Sequence, residues 1–298
     1  MRHAGSLKTR PGFSPKKSLG QNFLVDPWFI HTLVSYTMFQ PSDLILEIGP
    51  GLGALTIPIA RLVRHVVAVE KDTALIDLLN KKLSRAGITN VTLINKDILT
   101  FDISGIRAPS SSKIQVIGNL PYNISSPLLG KLLENREVIR KAVLMFQSEV
   151  ARRLSASPGT KAYGALSVFV QYYALTTVLL EVPRQAFYPI PRVDSTVLEL
   201  DFEQPYPRHA DHEDSFRKVV KGAFVHRRKT LINSLKGLYP SWDRDTLLQG
   251  MRHCGIDPRR RAETLHMDEF LCLSSVLKLT NVHAGVREPV EDCSCSQV

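Results

Sequence analysis

The apolar positions of this chain fall into two periods that take turns along it. Leu44, Ile45, Leu46 and Ile48 form a short apolar run bounded by turn residues, the pattern of a parallel strand buried on both faces. Gly49, Gly51 and Gly53 follow at alternate positions, and an apolar helix pattern then runs through Leu55, Ile57, Ile59, Leu62 and Val63. Val66 to Val69 is a second β-branched run, closed by Glu70. A helix is predicted from Thr73 to Arg85, with Leu75, Ile76, Leu78, Leu79 and Leu83 on its apolar side. Val91 to Ile94, Ile114 to Ile117 and Lys141 to Gln147 read as three further strands, and Ser126-Pro127 starts a helix by the cap-plus-proline signal. Asp26-Pro27 gives the same signal ahead of Trp28, Ile30, Leu33 and Val34. Tyr163 to Tyr173 suits a core helix better than a base-stacking platform. Leu175 to Val182 and Ser195 to Phe202 are predicted to pair like a hairpin at the sheet edge. Glu203 to Glu213, rich in Pro, His and Asp, reads as a linker. Helices are predicted beyond it over Phe216 to Val225, Thr230 to Leu238, Asp245 to Cys254 and Met267 to Leu279. The fold class is therefore α/β. A Rossmann-like domain is expected over residues 1–204, an all-helical domain over 205–280, and a disordered tail over 281–298.

Strand, glycine loop and helix together open a nucleotide-binding unit. Glycine there supplies unusual backbone angles without a Cβ and lets a ligand approach the main chain. A plain tight turn is the bland alternative. Glu70 lies 21 residues after Gly49, placed to take both hydroxyls of an adenosine ribose. The spacing Glu47-x-Gly49-x-Gly51-x-Gly53 is not the dinucleotide fingerprint. It resembles the S-adenosylmethionine loop of methyltransferases, whose ligand has no pyrophosphate to cradle.

In an open parallel sheet, ligands sit beyond the carboxyl ends of the strands. Gly49, Glu70 and Asp97 are thus expected on one rim. Asp97 would accept from the cofactor's adenine amine, or else cap the turn before Ile98. Asn119-Leu120-Pro121-Tyr122 ends the fourth strand on the same rim. An exocyclic adenine amine is a poor nucleophile, because its lone pair is delocalised into the ring. It needs acceptors for its hydrogens as it becomes tetrahedral. Asn119 offers a side-chain carbonyl. Leu120 offers a main-chain carbonyl, restricted by Pro121. Tyr122 can stack on the base. Phe187, in the proline-stiffened loop Phe187-Tyr188-Pro189-Ile190-Pro191, could cover the base's second face or be an ordinary packed aromatic. Gln21-Asn22 is a solvated loop or a lid.

The chain has 298 residues, 44% hydrophobic and 22% charged, ordinary for a globular chain with a sizeable core. Its net charge is +10, with a pI near 9.5, which favours an anionic partner. From Arg217 to Arg261 there are twelve Lys or Arg against three Asp, a net +9. A solvated face is the usual meaning of such a run. Its concentration in one small helical unit suggests phosphate contacts, with Arg227, Arg228 and Lys229 as candidates between two predicted helices. Four cysteines make no disulfide framework in a chain this long, so a reducing compartment is expected. Cys293 and Cys295 sit in a polar tail and carry only weak evidence for metal. No apolar run approaches a membrane span. The first 25 residues, basic and without an apolar core, read as a mature flexible arm.

Taken in order, LGQNFL, EIGPGLGALT, GNLPYNISSPLL, FYPIPRVDS, FVHRRKTLINSL and RRAETL resemble the ribosomal RNA small-subunit adenine N6,N6-dimethyltransferase family of the KsgA type, from about Lys16 to Thr280. The resemblance implies a cytoplasmic, monomeric enzyme that uses S-adenosylmethionine to dimethylate two adjacent adenosines. They would lie in a hairpin near the 3′ end of small-subunit ribosomal RNA, either as naked RNA or in an assembling subunit. It carries cofactor contacts over to Asn22, Leu24, Gly49, Glu70, Asp97 and Asn119, and so favours the lid. The rival readings are a large-subunit methyltransferase of the antibiotic-resistance type, a nonenzymatic RNA- or DNA-binding factor, and a nicotinamide dehydrogenase. The last is disfavoured by the glycine spacing and by Asn119-Leu120-Pro121-Tyr122.

Overall fold

The structure is a computed structural model that describes residues 15–16, 19–106, 113–121, 124–239 and 241–277. The chain divides into two compact units, residues 1–209 with 263–267, and residues 210–262 with 268–298.

The first unit is built on a seven-stranded sheet. Its strands are β2 (Leu44–Ile48), β3 (His65–Glu70), β4 (Val91–Asn95), β5 (Ile114–Asn119), β6 (Ile139–Gln147), β7 (Leu175–Val182) and β9 (Ser195–Asp201). Their spatial order is β4-β3-β2-β5-β6-β9-β7. The first five run parallel, and β9 lies antiparallel to both β6 and β7. The two late strands do pair, but only β7 is the edge; β9 inserts between it and β6. β2 and β5 are buried along nearly their whole lengths, which is why their sequences show no polar alternation. The order reverses between β2 and β5, so the crevice at their carboxyl ends is the topological switch point. Gly118 lets the two strands approach closely: a Cβ there would lie 2.9 Å from the Ile48 carbonyl oxygen.

Helices α1 (Pro27–Tyr36), α2 (Thr56–Ala60), α3 (Thr73–Arg85), α4 (Ser125–Glu134), α5 (Ser148–Leu154) and α6 (Ala165–Tyr173) accompany the sheet. Asp26 caps α1 through the Trp28 N–H, with Pro27 in the first turn. The helix after the glycine loop is shorter than its apolar pattern suggests, ending at Ala60. A separate two-stranded ribbon pairs β1 (Phe23–Leu24) with β8 (Phe187–Tyr188), in the register Phe23↔Tyr188 and Leu24↔Phe187.

The second unit contains α7 (Glu213–Phe224), α8 (Leu231–Leu235), α9 (Arg244–His253) and α10 (Met267–Val276). Phe216, Val219, Leu231, Leu235, Trp242, Leu247, Met251 and Phe270 are fully buried. Cys254 and Cys272 are joined by a disulfide, with Cα atoms 5.8 Å apart. One cross-link is not a framework, but it is a pairing that the cysteine count does not single out. Packing of α9 on α10 brings together two thiols that are 18 residues apart, and composition does not reveal that. Cys293, Cys295, most of the N-terminal arm and the tail lie outside the described residues. No described helix is long and apolar enough to cross a membrane.

Candidate active site

A cavity of about 550 Å³ opens at the carboxyl ends of β2, β3, β4 and β5. That volume suits a nucleoside-sized ligand. Gly49, Glu70, Asp97 and Asn119 all line it, together with Asn22, Leu24, Leu120 and Pro121. The structure therefore brings together eight of the residues singled out in the sequence. Tyr122 falls outside the described residues. Phe187 is elsewhere: its side chain is 1% exposed, packed in the core cluster that includes Leu24, Val143 and Val197. Pairing of β8 with β1 turns it inward, so the ring offers no face to a base and the packed-aromatic alternative describes it.

The carboxylates differ in how they are held. Glu70 ends β3 and is 8% exposed. Its Oε1 accepts from the Asp72 N–H at 2.9 Å and its Oε2 from the Gly51 N–H at 3.2 Å, so it ties the glycine loop to the sheet. Burial raises its pKa, and those two N–H groups oppose the rise. Each oxygen keeps a second lone pair for a ligand hydroxyl. Asp97 combines both of its alternatives. Oδ1 accepts from the Leu99 N–H at 2.9 Å as a turn cap, and Oδ2 pairs with Lys71 Nζ at 2.8 Å. The Lys71 hydrogen bond, with that of Leu99, holds its carboxyl below the usual range.

Glu47, read in the sequence only as the start of the glycine spacing, is the most perturbed group of the cavity. Burial pushes its carboxyl up to about 8, and the charge of Glu70 adds to the rise. Its Oε2 is buried without a hydrogen-bond partner among the described residues. The Thr56 hydroxyl beside it, itself buried, opposes the rise. Glu70 and Asp97, with Glu47 as a protonatable neighbour, thus make a wall that suits a ligand donating hydrogen bonds and disfavours a phosphate. Sequence spacing has no means to show that Glu47 faces this cavity, since strand residues alternate faces and β2 is buried on both.

Residues 19–25 form the opposite wall. A Cβ on Gly51 (φ +56°) would lie 3.0 Å from the Phe23 ring, so glycine is required both for the backbone angle and for this packing. Asn119 Nδ2 donates to the Asn22 main-chain carbonyl at 2.9 Å. That bond assigns the amide orientation, leaving Oδ1 as its remaining acceptor.

In the helical unit, Arg227, Arg228 and Lys229 are exposed in the turn between α7 and α8. With Val225 and His226 they line a recess of about 290 Å³. Part of the positive excess is neutralised within the unit, by Arg259 on Asp257 and Arg260 on Glu269.

Residues 12–279 match the family described as ribosomal RNA adenine dimethylase. The chain is 47% identical, over 93% of its own length and 97% of the relative's, to the ribosomal RNA small subunit methyltransferase A of Desulforapulum autotrophicum. It is 42% identical, over 89% and 91%, to the protein of the same name from Anoxybacillus flavithermus. Among solved structures it is similar to a dimethyladenosine transferase from Plasmodium falciparum, with a TM-score of 0.70 and 25% identity over 83% of this chain and 94% of that one. It is also similar to the 23S rRNA methyltransferase ErmE, with a TM-score of 0.65 and 27% identity over 86% and 99%.

Proposed function

We infer the chemistry from one premise: this chain belongs to the ribosomal RNA adenine dimethylase family. It is an S-adenosylmethionine-dependent enzyme that dimethylates adenine in ribosomal RNA. The finer reading is that its targets are two adjacent adenosines in a hairpin near the 3′ end of small-subunit RNA. The small subunit is favoured because relatives named for it are 42–47% identical, against 27% for the large-subunit enzyme. A monomer acting in the cytoplasm on an assembling subunit completes the reading.

When bound, the cofactor supplies a methyl group already activated by its sulfonium. The chain's own residues then have three tasks. Glu70 holds the ribose hydroxyls, and Asp97 accepts from the adenine amine through a lone pair that Lys71 and Leu99 do not use. Glu47, which burial keeps protonated up to about pH 8 in the ligand-free chain, would balance the ligand's positive charge once ionised beside it. Asn119 and Leu120 receive the hydrogens of the target amine as its nitrogen becomes tetrahedral, which leaves the lone pair localised for attack. Electrostatic complementarity to that developing charge is the catalytic contribution. No general base is needed to start the reaction, because the electrophile is strong. Tyr122 would stack on the base. Arg227, Arg228 and Lys229 grip phosphates without reading sequence.

The observation that carries this reading is the Asn119 amide, lining the same cavity as Glu70 and held by the Asn22 carbonyl with Oδ1 as its remaining acceptor. The test is methyl transfer from labelled cofactor to small subunits isolated from cells lacking this protein, followed by primer extension. Two adjacent modified adenosines near the 3′ end are expected. Label appearing only in large-subunit RNA would overturn the choice of subunit.

A further inference from the structure

We propose that Asp72 anchors a latch that holds residues 19–24 closed over the cavity, and that closure of this latch is what orients Asn119 for the reaction. The inference rests on the methyl-transfer reading above and adds Lys16, Gln21 and Asp72 to it as positioning residues.

Asp72 is 4% exposed and lies two residues beyond Glu70. Its Oδ1 accepts from Lys16 Nζ at 2.7 Å and its Oδ2 from Gln21 Nε2 at 2.9 Å. Lys16 and Gln21 are also tied to each other, the Lys16 N–H donating to Gln21 Oε1 at 2.7 Å. A further bond to Asp72 Oδ1 comes from the Ala74 N–H at 3.2 Å, where Asp72 caps α3. Burial pushes the Asp72 carboxyl up, but the Lys16 and Gln21 hydrogen bonds and the Ala74 N–H outweigh it and leave it below the usual range. Two of the three groups that compensate this buried charge come from Lys16 and Gln21, at and just before the wall of the cavity. Lifting that segment would exchange two charge-assisted hydrogen bonds to Asp72 for water.

The same segment reaches the reacting end of the cavity. Gly20 (φ +64°) turns the chain, and Asn22 Nδ2 closes the turn on the Gly20 carbonyl at 3.1 Å. The Asn22 carbonyl then receives Asn119 Nδ2. Phe23 packs on Gly51, and Phe23 and Leu24 pair with β8. Asp72 meanwhile donates its own N–H to Glu70 Oε1 at 2.9 Å. One buried carboxylate therefore links the residue that binds the ribose to the segment that holds the catalytic amide. With the segment open, Asn119 loses the partner that fixes which end of its amide is the acceptor.

The test uses the full chain with Lys16→Ala and Gln21→Ala combined, which leaves the Asp72 cap on α3 intact. Two measurements are made: hydrogen exchange at the Phe23 and Leu24 amides with S-adenosylhomocysteine bound, and single-turnover methyl transfer at saturating cofactor. Faster exchange is expected, with a saturating rate lower by about tenfold, the scale of one lost hydrogen bond to a charged group. Lys16→Arg alone should keep both near wild type. Unchanged exchange would overturn the latch. An unchanged rate at saturation, with all loss in cofactor affinity, would overturn its link to Asn119. A wild-type protein that transfers no methyl group would instead refute the functional reading, and the exchange measurement would still decide the latch.

Discussion

The two units handle charge in opposite ways. In the sheet unit, buried and half-buried acidic side chains lie in and beside an open cavity, and each carboxylate oxygen of Glu70, Asp72 and Asp97 accepts a hydrogen bond from the surrounding chain. In the helical unit, Arg227, Arg228 and Lys229 are exposed on a turn. Buried, hydrogen-bonded charge is suited to fixing one small ligand in one geometry. Exposed charge on long side chains is suited to gripping a polyanion whose details vary. The difference teaches that substitutions in the first unit should change chemistry or cofactor affinity in a residue-specific manner. Those in the second should change affinity by increments that salt can mimic.

One large expected effect is on the helical unit's stability. Cys254→Ser removes a cross-link between residues 18 apart, worth about 3 kcal/mol in the chain-entropy account. Urea unfolding of the oxidised wild type against the variant measures it, and cofactor affinity should be unaffected. Coincident unfolding curves would mean that the cross-link adds nothing to stability. Glu70→Ala comes next. Removing the charge-assisted bonds to the ribose should weaken cofactor binding by about 2 kcal/mol, with little change in fold. Calorimetry showing wild-type affinity would remove Glu70 from the site.

Substituting Arg227, Arg228 and Lys229 together by Ala should flatten the dependence of log affinity for RNA on log salt. The slope should fall by about 0.7–0.9 for each phosphate that is no longer neutralised. The methylated positions should not move. A wild-type slope would return the triplet to a solvated face and erase the contrast between the units. The last effect is a pH dependence. Glu47 has a folded-state pKa of about 8, above its ordinary 4.5, so it binds its proton more tightly when folded. Its contribution to the stability of the ligand-free chain is present below about pH 4.5 and is lost as pH rises through about 8. Glu47→Gln should flatten stability between those limits. Denaturant melts at pH 5 and pH 8 showing the same slope in both proteins would place the titration elsewhere.

Most of the cavity was legible in the sequence because each strand's apolar run ends where its functional residue begins. Gly49, Glu70 and Asn119 follow or close β2, β3 and β5, and the parallel order puts those ends on one rim. What was not legible depends on contacts between distant residues. Lys16 and Gln21 reach Asp72 across 56 and 51 positions, and nothing local in their sequence marks that meeting. Phe187 is drawn into the core by its pairing with Leu24, a ribbon of only two residues per strand with no periodicity to reveal it. The disulfide depends on how α9 and α10 pack. Apolar periodicity overstates helix length where apolar residues continue past the helix, as Leu62 and Val63 do after α2.

The central claim is that one rim residue serves the reacting amine while its neighbours bind the cofactor. Asn119→Ala, measured for single-turnover methyl transfer at saturating cofactor and for cofactor affinity on the same preparation, tests it most directly. The predicted result is a rate lower by about 10² to 10³, the scale of losing one group aimed at developing charge, with affinity changed only a few-fold. Equal losses in rate and affinity would contradict the claim and reduce Asn119 to a wall of the cofactor cavity.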